Sequence, residues 1–211
     1  MRPYEARDRE AVRAICCDTA DGGGPVEAFF PDREVFADLL TRYYTDFEPE
    51  SLWVAESHGR VQGYVSGCLS TRRFHRVLVG RIVWRVLGKA IVRGTLWRRE
   101  VMRLAWLNLP LGLRWSWGRG VDLGRYPSHL HVNLAAGLRG QGVGRRLIAE
   151  FCRRAARLAS PGVHAHVSEG SPRAMAFFEG EGFLRAGRSP LMRFAGDPGR
   201  TVYSVTYAKA L

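Results

Sequence analysis

Two sets of residues in this chain have types and spacing suited to chemistry. The first is Arg139-Gly140-Gln141-Gly142-Val143-Gly144, set between an apolar run at His129–Leu134 and the helical run Arg145–Leu158. Glycines let a backbone turn sharply and approach a ligand without Cβ clashes. A helix that follows such a turn aims unpaired N–H groups and a partial positive charge back into it. That is an anion cradle suited to a pyrophosphate. The second set is His129, His131 and Asn133, which alternate and so share one face of a strand. An imidazole there could take or relay a proton near neutral pH. The alternative is that this face packs under helices, with both imidazoles structural.

Three phosphate-binding patterns can be weighed against the glycine turn. A P-loop needs Gly, four residues, then Gly-Lys-Ser/Thr, and no Lys or Ser/Thr follows these glycines. A dinucleotide fold needs GxGxxG near the start of a βαβ unit and an acidic residue further on in a strand. Here the order is GxGxG, deep in the chain. The third pattern, Arg/Gln-x-x-Gly-x-Gly/Ala after an apolar strand, remains. In the run that follows, Val143, Leu147, Ile148, Phe151, Ala155 and Leu158 recur at helical spacing, with arginines opposite. Gly162–Val167 reads as a strand. Ser171 and Pro172 open a second helix as N-cap and first residue, and Gly182 is a plausible stop.

The third pattern resembles the acetyl-CoA loop of the GNAT N-acetyltransferase superfamily. The block Ser171–Phe183 is similar to a second pattern of that superfamily, Asn-x-x-Ala-x-x-x-Tyr-x-x-x-Gly-Phe. It departs at two positions: Ser171 replaces the Asn that contacts the CoA arm, and Phe178 replaces the Tyr that protonates the departing thiolate. A narrower resemblance lies in Tyr126-Pro127-Ser128-His129-Leu130-His131-Val132-Asn133, with Glu48-Pro49-Glu50-Ser51 upstream. These runs look like bacterial proteins related to the acetyltransferase-like domain of animal O-GlcNAc hydrolases.

The fold this implies is α/β (α+β), a central mixed, mostly antiparallel sheet of about seven strands flanked by helices, in one domain over 1–211. The residues fit that order. Residues 2–5 read as a strand, and Asp8 caps a helix to about Ala20. Asp32 opens a second helix, and Leu52–Glu56 and Val61–Ser70 form a hairpin about His58-Gly59-Arg60. After the glycine-loop helix come strand, helix, a strand at about 183–188, a loop at Asp197-Pro198-Gly199, and a strand at Thr201–Lys209. The resemblance spans all of this except 72–125. That segment is too long for a structureless loop. It reads as helical, with Arg81, Arg85 and Lys89 on one face, Val79, Ile82, Val83, Val86, Leu87, Ala90 and Ile91 mostly on the other, and a second helix at Thr95–Leu107 before Pro110.

The resemblance also implies a ligand and a chemistry. Acetyl-CoA is the expected cofactor, with no metal, and a primary amine of unspecified identity is the acceptor. Leu134, Ala135 and Ala136 would line the thioester and its oxyanion. The backbone of Arg139, Gly140, Gln141, Gly142, Val143 and Gly144 would hold the pyrophosphate, with Arg145 adding charge. Ser171, Ala174 and Phe178 would flank the CoA arm. A lysine-like amine, with a pKa near 10.4, must lose a proton before it attacks. His131 is the best base candidate, with Asn133 orienting. Tyr126, Tyr203 and Tyr207 are candidate replacements for the missing acid. Glu169 is a candidate second base, and His164 and His166 read as structural. Glu27, Tyr43 and Tyr44 would line the acceptor site. The alternative is a non-catalytic CoA-binding or interaction module that works through the basic segment.

The formal net charge is +12, and 72–125 holds thirteen basic residues against Glu100 and Asp122. Further partners expected are a second copy of the chain and an acidic partner or anionic membrane surface meeting 72–125. Nucleic acid is disfavoured, because no recognised binding module surrounds the charge. Cys16, Cys17, Cys68 and Cys152 lack metal-ligand spacing and read as free thiols. With no signal peptide and no uncharged membrane-length apolar run, a cytoplasmic location is expected.

Overall fold

The computed structural model describes residues 1–113, 120–194 and 197–211. Arg114 and Arg119 of the basic segment lie outside the described residues. Seven strands form one sheet: β1 (Arg2–Pro3), β2 (Leu52–Ser57), β3 (Arg60–Cys68), β4 (Ser128–Leu134), β5 (Gly162–Ser168), β6 (Leu184–Phe194) and β7 (Asp197–Ala210). Their order is β1-β2-β3-β4-β5-β7-β6. Every described pair is antiparallel except β4 with β5. The mixed, mostly antiparallel sheet flanked by helices is therefore the architecture anticipated from sequence. Residues 197–199, read as a loop, instead begin β7, and β6 runs past 188 to Phe194.

Helices cover both faces. On one lie α6 (Val143–Arg157) and α7 (Pro172–Gly180). Leu147, Phe151 and Ala155 bury the apolar stripe of α6 completely against Val65, Leu130 and Val163. Each large side chain so buried contributes roughly 1.5–3 kcal/mol. On the other face lie α1 (Arg9–Asp18) and α2 (Arg33–Asp46), whose Val12, Ile15, Val35, Tyr43 and Tyr44 pack on Leu52, Val54 and Tyr64. Asp32 caps α2 by accepting from the N–H groups of Glu34 and Val35. Asp8 does not cap α1 with its side chain; it accepts from Arg2 and from the Glu5 N–H instead.

The basic segment folds onto this second face. Strand β3 stops at Cys68, and Ser70, expected to end it, caps α3 (Thr71–Val77) by accepting from the Arg73 N–H. A single π-turn at Leu78–Ile82 joins α3 to α4 (Val83–Val92), so the helical run is continuous. Phe74, Leu78, Ile82, Val86 and Ala90 are its buried stripe. Lys89 is not a solvated charge: its Nζ donates to Glu34 Oε2 and Asp38 Oδ2, both at 2.9 Å. Arg13 closes the group through Asp38 and Glu34, and Arg93 donates to the capping Asp32 at 2.9 Å. These groups pin α4 to α2. The second helix of the segment, α5, runs from Arg99 to Leu113, so Pro110 does not end it.

Candidate active site

Strands β4 and β5 pair only at Ser128–Val163 and His129–His164, then part. Along β4 the antiparallel register with β3 makes Ala135 a hydrogen-bonded partner of Gln62, its N–H reaching the Gln62 carbonyl at 2.8 Å. Alternation then turns the N–H of Leu134 the other way, toward β5 and the opening. A cleft of about 1550 Å³ occupies this gap and crosses the sheet. Ala135, assigned to the thioester, has spent its N–H on the sheet, and neither it nor Ala136 lines the cleft.

The glycine turn forms one end. Gly140 and Gly142 adopt left-handed φ angles of 77° and 71°, and Gly142 caps α6. The first-turn N–H groups of Val143, Gly144 and Arg145 have no partner within the helix. A Cβ on Gly144 would lie 3.1 Å from the Phe177 ring, so glycine keeps α6 close to α7. Gly140, Gly142, Val143, Gly144 and Arg145 all line the cleft. Arg139 does too, but as a clamp: Nε donates to the Leu134 carbonyl at 3.1 Å and a terminal nitrogen to the Gly23 carbonyl at 3.3 Å. Gln141 folds back on the Gly137 carbonyl at 2.6 Å and does not line the cleft. Arg145 donates to Glu181 at 2.8 Å, so its charge is shared with a carboxylate. Ser171, Ala174 and Phe178 also line the cleft. Ser171 precedes α7 without a side-chain cap bond. Phe178 is buried and stacks on Tyr207 at 6.0 Å between centroids, presenting no hydroxyl.

The other end lies beneath α1, α2 and α3. His129, His131 and Asn133 face this side together, but they differ in what they touch. His129 is buried and held by the Tyr44 hydroxyl at 2.8 Å and the Thr71 hydroxyl at 2.9 Å. Burial, with His131 and His164 nearby, pushes its pKa well down. His131 lines the cleft. It is half-buried, and desolvation and then His164 push it down to about 4. The Asn133 side chain donates to the Thr19 hydroxyl at 2.6 Å, which ties β4 to the end of α1. Tyr44 lines the cleft, but Tyr43 is buried in the core with its hydroxyl donating to Glu48 at 2.8 Å. Glu27 is a surface partner of Arg33 and does not line the cleft.

None of the tyrosines weighed as acids lines the cleft. The Tyr207 hydroxyl donates to Glu179, Tyr203 sits under Arg188, and Tyr126 offers its carbonyl to His164. Glu169 pairs with Arg188 outside the cleft. The cleft instead gathers residues that the sequence assigned to no site: Cys16, Thr19, Tyr64, Ser66, Ser168, Ser189 and Ser204, with His166. His166, read as structural, opens on the cleft, and desolvation pushes it to about 3. Ser204 is buried, and its hydroxyl has no hydrogen-bond partner among the described residues. It faces the same side as Ser168, its antiparallel partner. Phe36, Leu39, Leu40, Phe74, Leu78 and Leu191 supply apolar walls.

No protein-family pattern matches the chain. Among solved structures it is similar to that of SsHAT, with 26% identity and a TM-score of 0.72 over 99% of this chain and 96% of that one. It is also similar to a ribosomal-protein-alanine N-acetyltransferase from Brucella melitensis, with 22% identity and a TM-score of 0.58 over 100% and 98%. A third similarity is to yncA from Salmonella typhimurium, solved with its cofactor acetyl-CoA, at 15% identity and a TM-score of 0.58 over 100% and 92%. The chain has the GNAT fold.

Proposed function

We propose that this chain is an acetyl-CoA-dependent N-acetyltransferase that moves an acetyl group to a primary amine by direct attack in a ternary complex. One observation carries the reading: the unpaired N–H groups at the start of α6 and the N–H of Leu134 open into the same cleft, at the point where β4 and β5 part. The residues fit the ligand. Val143, Gly144 and Arg145 offer amides to a pyrophosphate. Leu134 offers a donor to a thioester carbonyl, in a gap where no strand competes for it. The N-acetyltransferase name of one structural neighbour and the acetyl-CoA bound to another support the same assignment.

Bound acetyl-CoA supplies an activated acyl group. The chain's own residues orient the acceptor and manage its proton. His131 is the proton acceptor, and Asn133 is a positioning residue that fixes β4 against Thr19. Glu181 is the one carboxylate among the described lining residues of the whole cleft, and it is paired with Arg145 at the turn end, away from His131. A neutral His131 with a pKa of about 4 is a poor match for an alkylammonium near 10.4. With apolar walls from Phe36, Leu39, Leu40 and Leu191 and no unpaired carboxylate among the described lining residues to hold a cation, the acceptor that suits this end is an apolar, weakly basic amine already neutral near pH 7, such as an aromatic amine. The test is release of free CoA thiol from acetyl-CoA across paired aromatic and alkyl amines of similar shape. Preference for the aromatic members supports the assignment; preference for the alkyl members removes it.

One observation favours a second reading, a CoA-binding module without turnover: Phe178 stands where a proton donor to the thiolate would be expected. That reading predicts acetyl-CoA binding with no thiol release for any amine.

A further inference from the structure

The helical segment between β3 and β4 has a second apolar face that the fold does not use. Opposite the buried stripe of Ile82, Val86 and Ala90, α4 presents Trp84, Leu87 and Ile91 to solvent, three and four residues apart on one side. Trp84 is 67% exposed and Val92 88%. In the elements that follow, Trp97 is 70% and Trp106 78% exposed, with Met102 one turn from Trp106. Single exposed apolar residues need no explanation, but a run of bare tryptophans and aliphatics on consecutive helices does.

The charges between them point to what covers this face. Arg72, Arg76, Arg81, Arg85, Arg98, Arg99 and Arg103 are exposed and have no ion pair among the described residues. Lys89 and Arg93, by contrast, are consumed by Glu34, Asp38 and Asp32 in holding α4 down. Over 72–113 the sole acidic residue is Glu100. A second copy of the chain would set one arginine-rich face against another. No described helix is long and apolar enough to cross a membrane. Helices that bare tryptophan and aliphatic side chains among arginines suit the boundary between acyl chains and anionic headgroups. There the indole rings bury and the guanidinium groups meet lipid phosphates.

We propose that α3, α4 and α5 form a docking surface that lies on an anionic phospholipid membrane. The core of the protein is held off the bilayer, and Trp84, Trp97 and Trp106 enter the interface. The surface is separate from the cleft lining at these three tryptophans.

The test is co-sedimentation of the full chain with phosphatidylcholine vesicles that contain phosphatidylglycerol, against phosphatidylcholine alone. Partition into the anionic vesicles is expected, falling with added salt. Replacing Trp84, Trp97 and Trp106 together by alanine should lower partition by on the order of tenfold or more while leaving the thermal unfolding midpoint unchanged. Arg85→Gln with Arg103→Gln should lower it only on anionic vesicles. Failure to sediment with anionic vesicles overturns the proposal, as does unchanged partition of the tryptophan variant. A dimer in sedimentation velocity that the tryptophan variant abolishes, without vesicle binding, would assign the face to a second copy.

Discussion

His131 and His129 sit two residues apart on one strand, yet their surroundings give them different work. His129 is locked between the Tyr44 and Thr71 hydroxyls, whereas His131 opens on the cleft. His131→Ala should therefore lower the rate of transfer about a hundredfold while acetyl-CoA affinity, measured by calorimetry, stays the same. A fall in affinity of equal size would assign His131 to binding. His129→Ala should instead lower the unfolding midpoint. The alternation of His129, His131 and Asn133 is legible in sequence because strand side chains alternate strictly. His166 and Ser204 are not legible as cleft residues. They reach it through the parting of β4 from β5 and the pairing of β5 with β7, which local spacing does not encode. Glu27 and Tyr43 do not line the cleft for a related reason. The helical period places both on or near the right elements, but only packing decides that Tyr43 turns to Glu48 and Glu27 to Arg33.

Among the elements, the turn between β4 and α6 was the most legible, because glycine order reports backbone geometry directly. Gly142 holds a left-handed φ at the helix cap, so Gly142→Val forces a β-branched residue into a conformation that costs on the order of 1–3 kcal/mol. If the turn relaxes off its binding geometry to relieve that strain, acetyl-CoA affinity should fall about fivefold to a hundredfold, since roughly 1.4 kcal/mol is a factor of ten. Unchanged affinity would detach the turn from the ligand. The helices of the basic segment were legible as helices but not in their facing. Lys89 shares the spacing of Arg81 and Arg85, yet it turns inward because α2 offers Glu34 and Asp38 there. Asp38 is buried between Arg13 and Lys89. Asp38→Ala removes the buried one of the two carboxylates that Arg13 and Lys89 share and leaves them the more exposed Glu34, which should cost roughly 1–3 kcal/mol in urea unfolding. A loss below about 1 kcal/mol would mean that water already screens the group.

Over the whole molecule, β4 and β5 gather four imidazoles kept neutral by desolvation, of which His131 and His166 line the cleft. His129 is pushed well down, and His131, His164 and His166 to about 4, 4 and 3. In the unfolded chain each titrates near 6.5. Between these values the unfolded state binds more protons, so stability is complete above about pH 6.5 and falls as the pH drops toward 4. The unfolding midpoint should drop across that window, and His131→Gln should flatten the decline. A midpoint independent of pH there would mean that the imidazoles are hydrated in the folded state. The order of elements along the chain was legible because each helix and strand announces itself by its own period, whereas the placing of β7 between β5 and β6 was not read from it. The size and lining of the cleft were not, since they depend on where two strands stop pairing. The most direct test of the central claim is titration calorimetry of the full chain with acetyl-CoA. One-to-one binding with a Kd on the order of 1 μM, weakened in Gly142→Val, is the predicted result; no heat of binding even at about 1 mM acetyl-CoA would contradict it.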